Sequence, residues 1–121
     1  MLYHSTRSLC APVSGAEAVV KGLAPDGGLY VPEAIPEFDW QSCLALSAQE
    51  QAQAILTAFL GDIPHMDALV RRAYTGKFET EDLTPTVKVG DRYVLELFRG
   101  PTAAFKDVAL SMLPQDRKSV V

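Results

Sequence analysis

Positive charge is scarce in this sequence. Eleven Lys and Arg stand against fifteen Asp and Glu, a formal charge of −4 at pH 7. No basic stripe exists to neutralise a phosphate backbone, so nucleic acid is not an expected partner. Cysteine is scarcer still. Cys10 and Cys43 lie far apart, form no C-x-x-C and have no histidine cluster nearby, which argues for two reduced thiols over a zinc site or a disulfide framework. Long apolar runs are missing as well. No window approaches the ~20 residues of a membrane span. Residues Met1 to Leu9 carry His4, Ser5, Thr6, Arg7 and Ser8 where a signal peptide needs an apolar stretch. The expectation is a soluble, cytoplasmic protein with no membrane partner. A chain of 121 residues is short for two complete domains, yet 48% hydrophobic content suffices for a core.

What is present has helical and extended periods in alternation. Leu2 to Thr6 reads as a short strand. Ser14 with Glu17 has capping-box spacing and opens a helix with Ala16, Val19, Val20 and Leu23 on one face, ending near Gly22. Pro25-Asp26-Gly27-Gly28 is a turn into an apolar strand, Leu29-Tyr30-Val31, and Pro32 and Pro36 hold an extended connection. Ser47 with Glu50 opens a stronger helix along Ala52, Ile55, Leu56, Phe59 and Leu60. With Pro64 in a first turn, Met66, Leu69, Val70, Ala73 and Tyr74 continue at helical spacing, so residues 47–75 read as a helical hairpin. Two strands, 86–89 and 92–98, flank Gly90-Asp91. A last, largely apolar helix is expected from Thr102, whose hydroxyl is a candidate cap.

Lys106 falls about one turn into that helix, after the Gly100-Pro101-Thr102 turn. Two readings are open. The side chain can snorkel, with its ammonium in water. Alternatively, partial burial and the positive end of the helix disfavour the ammonium, which leaves a free amine able to attack an aldehyde. Ser5, Thr6 and Arg7 divide in the same way between a phosphate contact and a solvated strand end. Gly27-Gly28 lacks the following helix a phosphate loop needs and reads as a structural turn. His4 and His65 read as surface residues.

Four motifs occur in order: Y-H-S-T-R at Tyr3–Arg7, V-S-G-A-E-A-V at Val13–Val19, G-L-A-P-D-G-G-L-Y-V-P at Gly22–Pro32 and L-F-R-G-P-T-A-A-F-K-D at Leu97–Asp107. Together they resemble the threonine synthase family, pyridoxal-phosphate enzymes of the tryptophan-synthase-β-like fold. The resemblance implies an α/β composition in an α+β arrangement, a small amino-terminal domain with a helical hairpin and a short β-hairpin, truncated at the start of the cofactor-binding domain. It implies conversion of O-phospho-L-homoserine and water to L-threonine and phosphate. It places Lys106 as the catalytic and cofactor-binding lysine, joined to pyridoxal 5'-phosphate through an imine. Asp107 matches the family pattern, and its plain role is a first-turn carboxylate favoured by the helix dipole. One residue departs: where the family has His before Gly-Pro-Thr, this chain has Arg99. Arginine can keep an anion contact or shape the turn, but it cannot exchange a proton.

The expected organisation is residues 1–98 as the amino-terminal domain, 99–115 as the start of the catalytic domain, and 116–121 as a non-native tail. Asp116 to Val121 abruptly replaces an apolar continuation, and the six residues match one reading frame of a common sequencing adapter. In that case Leu110 and Leu113 lack covering neighbours. The resemblance places the family's cofactor-phosphate cup and the partner of the pyridine nitrogen beyond this chain, so the 121 residues alone are expected to be inactive. The rival reading is a free-standing small binding or interaction domain without catalysis.

Overall fold

The computed structural model describes residues 1–117. Alternation sets the first strand, β1 (Leu2–Ser5), where Tyr3 and Ser5 are buried and Leu2 and His4 exposed, the period-2 pattern of a strand with one covered face. It pairs antiparallel with β2 (Val13–Ser14), Tyr3 opposite Val13, and on its other edge with β3 (Tyr30–Pro32), Ser5 opposite Tyr30. The order is β2-β1-β3.

Helix α1 (Gly15–Lys21) starts on Ser14, whose side chain accepts from the Glu17 N–H. The Glu17 carboxylate goes forward to Lys21 at 2.7 Å, so the pair forms one half of a capping box and an i,i+4 ion pair. The buried residues of α1 are Gly15 and Ala18. Val20 and Leu23, expected on its apolar face, are exposed. The face is rotated because Asp62, far along the chain, accepts from the Ala16 N–H at 2.9 Å and anchors the start of the helix.

A short helix, α2 (Trp40–Cys43), follows the connection held by Pro32 and Pro36. Asp39 caps it by accepting from Ser42 N–H. Helix α3 (Ala48–Phe59) has the full capping box between Ser47 and Glu50. Helix α4 (Met66–Tyr74) begins after His65, which takes φ 57, so Pro64 stands just outside the helix instead of in its first turn. The two helices form the expected hairpin, with α4 supplying most of the floor. Ile63, Met66, Leu69, Val70, Ala73, Tyr74 and Leu83 make the main core, flanked by Ala52, Leu56 and Leu60 of the α3 side. A smaller cluster of Tyr3, Val13 and Ala18 also meets Leu60, which joins the two. The Tyr3 hydroxyl donates to the Phe59 carbonyl at 2.8 Å, tying β1 to the end of α3.

The second sheet is a hairpin of β4 (Thr86–Val89) and β5 (Arg92–Leu95), with Gly90 at φ 63 in the turn. It ends three residues before the expected Phe98, and Val89, Tyr93, Val94 and Leu95 are exposed. Helix α5 (Asp107–Arg117) contains Pro114. It begins five residues later than expected, for a reason given below. Apart from the helical backbone of Asp116 and Arg117, the expected non-native tail lies outside the described residues.

Asp26 organises the turn between α1 and β3. Its carboxylate accepts from the Ser5 hydroxyl at 2.6 Å and from the amides of Gly28 and Leu9 at 2.9 and 3.0 Å. A Cβ on Gly28 would lie 2.1 Å from Ser5 Oγ, so the close approach requires glycine here. The Ser5 hydroxyl, then the Gly28 amide, hold the Asp26 carboxyl down to about 2. Because the folded value lies below the ~3.9 of an unfolded aspartate, this group stabilises the fold above about pH 4, and its contribution is lost as pH falls through about 2. The urea midpoint of the wild-type chain should drop more steeply between pH 4 and pH 2 than that of Asp26→Asn. Parallel curves would refute the assignment.

Candidate functional site

The segment that carries Lys106 is two consecutive tight turns followed by a helix. Ala103 N–H donates to the Gly100 carbonyl at 3.1 Å, and Asp107 N–H to the Ala104 carbonyl at 3.0 Å. Ala103 takes φ 56, outside the helical region, which prevents a helix from starting at Thr102. Lys106 therefore immediately precedes α5 instead of lying a turn inside it. Its carbonyl accepts the first helical bond, from Leu110 N–H at 2.8 Å. The side chain is exposed, which matches the snorkelling reading of its position and not the partly buried one. Among the described residues, no hydrogen bond or ion pair engages its amine.

Asp107 is the first residue of α5, and the Thr102 hydroxyl, expected as the helix cap, donates to it instead. It is 3% exposed and, with Ser5, one of two buried polar residues found among the described residues. Its carboxylate accepts from the Thr102 N–H at 2.8 Å and from the Thr102 hydroxyl at 2.5 Å. The bonds from Thr102 hold the carboxyl below its ordinary value, against the opposing effect of burial. A Cβ on Gly100 would lie 2.5 Å from both Cβ and Oδ2 of Asp107, so the carboxylate occupies the space a side chain at residue 100 would need.

Arg99 is fully committed to two carboxylates. Its guanidinium contacts Glu96 Oε2 from Nε at 2.8 Å and from Nη2 at 2.7 Å, and donates from Nη1 to Glu79 Oε2 at 2.8 Å. It also lies 5.1 Å from the Phe98 ring centroid. The Glu79 amide donates to the Arg99 carbonyl at 3.0 Å, so backbone and side chain both join the loop after α4 to the turn before Lys106. Two carboxylates on one guanidinium leave no net positive charge for an anion. Of the two roles open to it in the sequence, Arg99 takes the shaping one.

Lys106 stands at the rim of an apolar groove of about 570 Å³ between α3 and α5, and among the described residues it is the sole charged side chain in the lining. Leu56, Ile63, Met66, Phe105 and Met112 are among its walls. Leu110 and Leu113, on the helix leading away from Lys106, are 54% and 41% exposed. Tyr74 fixes the helix against α4, its hydroxyl donating to the Val108 carbonyl at 3.0 Å.

The structure separates the other residues that the sequence singled out from Lys106. Ser5 and Arg7 are spent on the Asp26 turn, where Arg7 Nη1 donates to the Asp26 carbonyl at 3.0 Å, and the Thr6 hydroxyl accepts from Leu29 N–H. The Gly27-Gly28 pair is the structural turn expected. His4 and His65 are exposed, and Cys10 and Cys43 are free thiols. Sequence reasoning missed Glu79, which stands far from Arg99 along the chain and bears no local signal. It also missed the reach of Asp107 back to Thr102, for which the i,i+5 spacing has no helical counterpart.

The family model described as "Threonine synthase N terminus" matches residues 2–74. Threonine synthase of Saccharomyces cerevisiae is 40% identical over 93% of this chain and 24% of its own length. The Corynebacterium glutamicum enzyme is 40% identical over 93% of the chain and 26% of its own. The crystal structure of pyridoxal-phosphate-bound threonine synthase from Brucella melitensis superposes with a TM-score of 0.87 at 41% identity, covering 95% of this chain and 26% of that one. The chain thus spans about a quarter of the length of the relatives it matches. By its sequence, its fold and the order of its elements, the chain belongs to the threonine synthase family and corresponds to that family's amino-terminal region.

Proposed function

We propose that this chain serves as the amino-terminal quarter of a threonine synthase, converting O-phospho-L-homoserine and water to L-threonine and phosphate, with Lys106 as the lysine that carries pyridoxal 5'-phosphate. The observation behind this is the placement of Lys106: an exposed amine with no carboxylate partner, at the start of a helix and the edge of a carbon-lined groove. That donor set fits the aldehyde end of the cofactor. Among the described residues the rest of the groove lining offers no charged group to the phosphate or the ring nitrogen, so those contacts fall to other parts of the complete enzyme, and the 121 residues alone are expected to be inactive.

The bound cofactor supplies an electron sink for charge developing on the substrate carbons. The lysine supplies the rest of what this segment offers. Its Nζ would hold the aldehyde end of the cofactor, and as a free amine on a four-carbon stem it would take a proton from substrate Cα and move one at Cβ. The backbone turn from Gly100 to Asp107 fixes the origin of that stem.

Borohydride reduction of the complete, cofactor-loaded polypeptide, followed by peptide mapping, tests the assignment. The label should fall on Lys106. Label on Lys88 or another lysine would overturn it.

A further inference from the structure

We propose that Asp107 is the positioning residue for Lys106: its buried carboxylate, closed on Thr102 and seated in the space left by Gly100, locks the turn from which the lysine amine projects. This rests on the reading of Lys106 given above.

Helix capping does not account for the geometry of Asp107. Ser47 and Asp39 cap α3 and α2 from exposed positions, each by one bond to an amide three residues on. Asp107 is instead the first residue of its helix and faces backwards, away from the helical amides, to a residue five positions earlier. Burying a carboxylate is costly unless its oxygens are satisfied. Among the described residues Asp107 has no cation beside it. It has the Thr102 amide and hydroxyl, with the positive end of α5 behind it. These bonds close a loop containing Ala103, Ala104, Phe105 and Lys106. Phe105 is exposed, and the lysine amine has no partner of its own. No hydrogen bond or ion pair among the described residues restrains the lysine amine, so the direction of its stem follows from the backbone that Asp107 and Thr102 clamp. Gly100 completes the device, because any Cβ there would displace the carboxylate.

The test is the rate of reductive labelling at Lys106 by pyridoxal 5'-phosphate and borohydride, mapped by peptide and normalised to folded protein, in the complete polypeptide. Asp107→Ala should slow it by about a hundredfold, the scale of a lost near-attack geometry. Asp107→Asn should recover the rate to within about threefold, because the amide oxygen still accepts from Thr102 N–H and the threonine hydroxyl can turn to accept from the amide nitrogen. Thr102→Val, which leaves the backbone bond in place, should be about tenfold slow.

A folded Asp107→Ala variant that labels at the wild-type rate overturns the proposal, as does an Asn variant as slow as the alanine one. Where Asp107→Ala fails to fold, Thr102→Val decides, and a wild-type rate there overturns it. No label on Lys106 in the unmodified protein overturns the Lys106 assignment, and the positioning role with it.

Discussion

Replacing Lys106 with alanine in the complete polypeptide should lower turnover of O-phospho-L-homoserine by about a thousandfold or more, the range associated with loss of a positioned proton-transfer group and covalent anchor. It should do so at almost no cost in stability. The side chain is exposed and makes no hydrogen bond or ion pair among the described residues, and surface substitutions of that kind usually stay within about 0.5 kcal/mol. Lys88→Ala is the control. Lys88 lies on the exposed hairpin with its amine 6.0 Å from the Tyr93 ring centroid, away from the groove, and its removal should leave turnover within about twofold. Steady-state kinetics and urea denaturation on the same preparations check both halves. Turnover within tenfold of wild type for Lys106→Ala would refute the assignment. A large stability loss would instead show that the side chain has a structural role.

Features set by near neighbours were the ones the sequence made legible. The hairpin of α3 and α4 follows from a capping box at Ser47 and from apolar spacing, both complete within a turn or two of the chain. The β4–β5 turn follows from Gly90, and Lys106 stood out through the motif around it. What escaped depends on partners distant in sequence or on backbone angles that residue type does not announce. The face of α1 is set by Asp62, the commitment of Arg99 by Glu79, and the late start of α5 by an alanine at positive φ beside a buried aspartate. The choice between the two readings of Lys106 escaped for the same reason. An apolar run predicts that a helix will be covered, but here the covering side of the groove is open and the lysine stands at its edge.

Leu69→Ala should be the most damaging single change to the fold, with an expected loss of about 2–5 kcal/mol. Leu69 is 1% exposed on α4, the helix that contributes most of the main core cluster and that lies against both α3 and α5. Truncation removes apolar surface from a cluster with little freedom to close, because Val70 and Ala73 beside it are already fully packed. The size matters because a domain of this kind has only about 5–15 kcal/mol in total, so one side chain carries a large fraction of the margin. The damage should extend to the site. Tyr74 lies on the same helix and holds the first turn of α5 through the Val108 carbonyl, so a loosened α4 also frees the helix that begins just after Lys106. Leu29→Ala provides the contrast, since Leu29 is 60% exposed and its loss should stay within about 0.5 kcal/mol. Urea denaturation of the 121-residue chain compares the two. A Leu69→Ala loss below about 1 kcal/mol, at an unchanged denaturant slope, would mean that α4 is not the floor of this fold and that the packing around Tyr74 and α5 is held some other way.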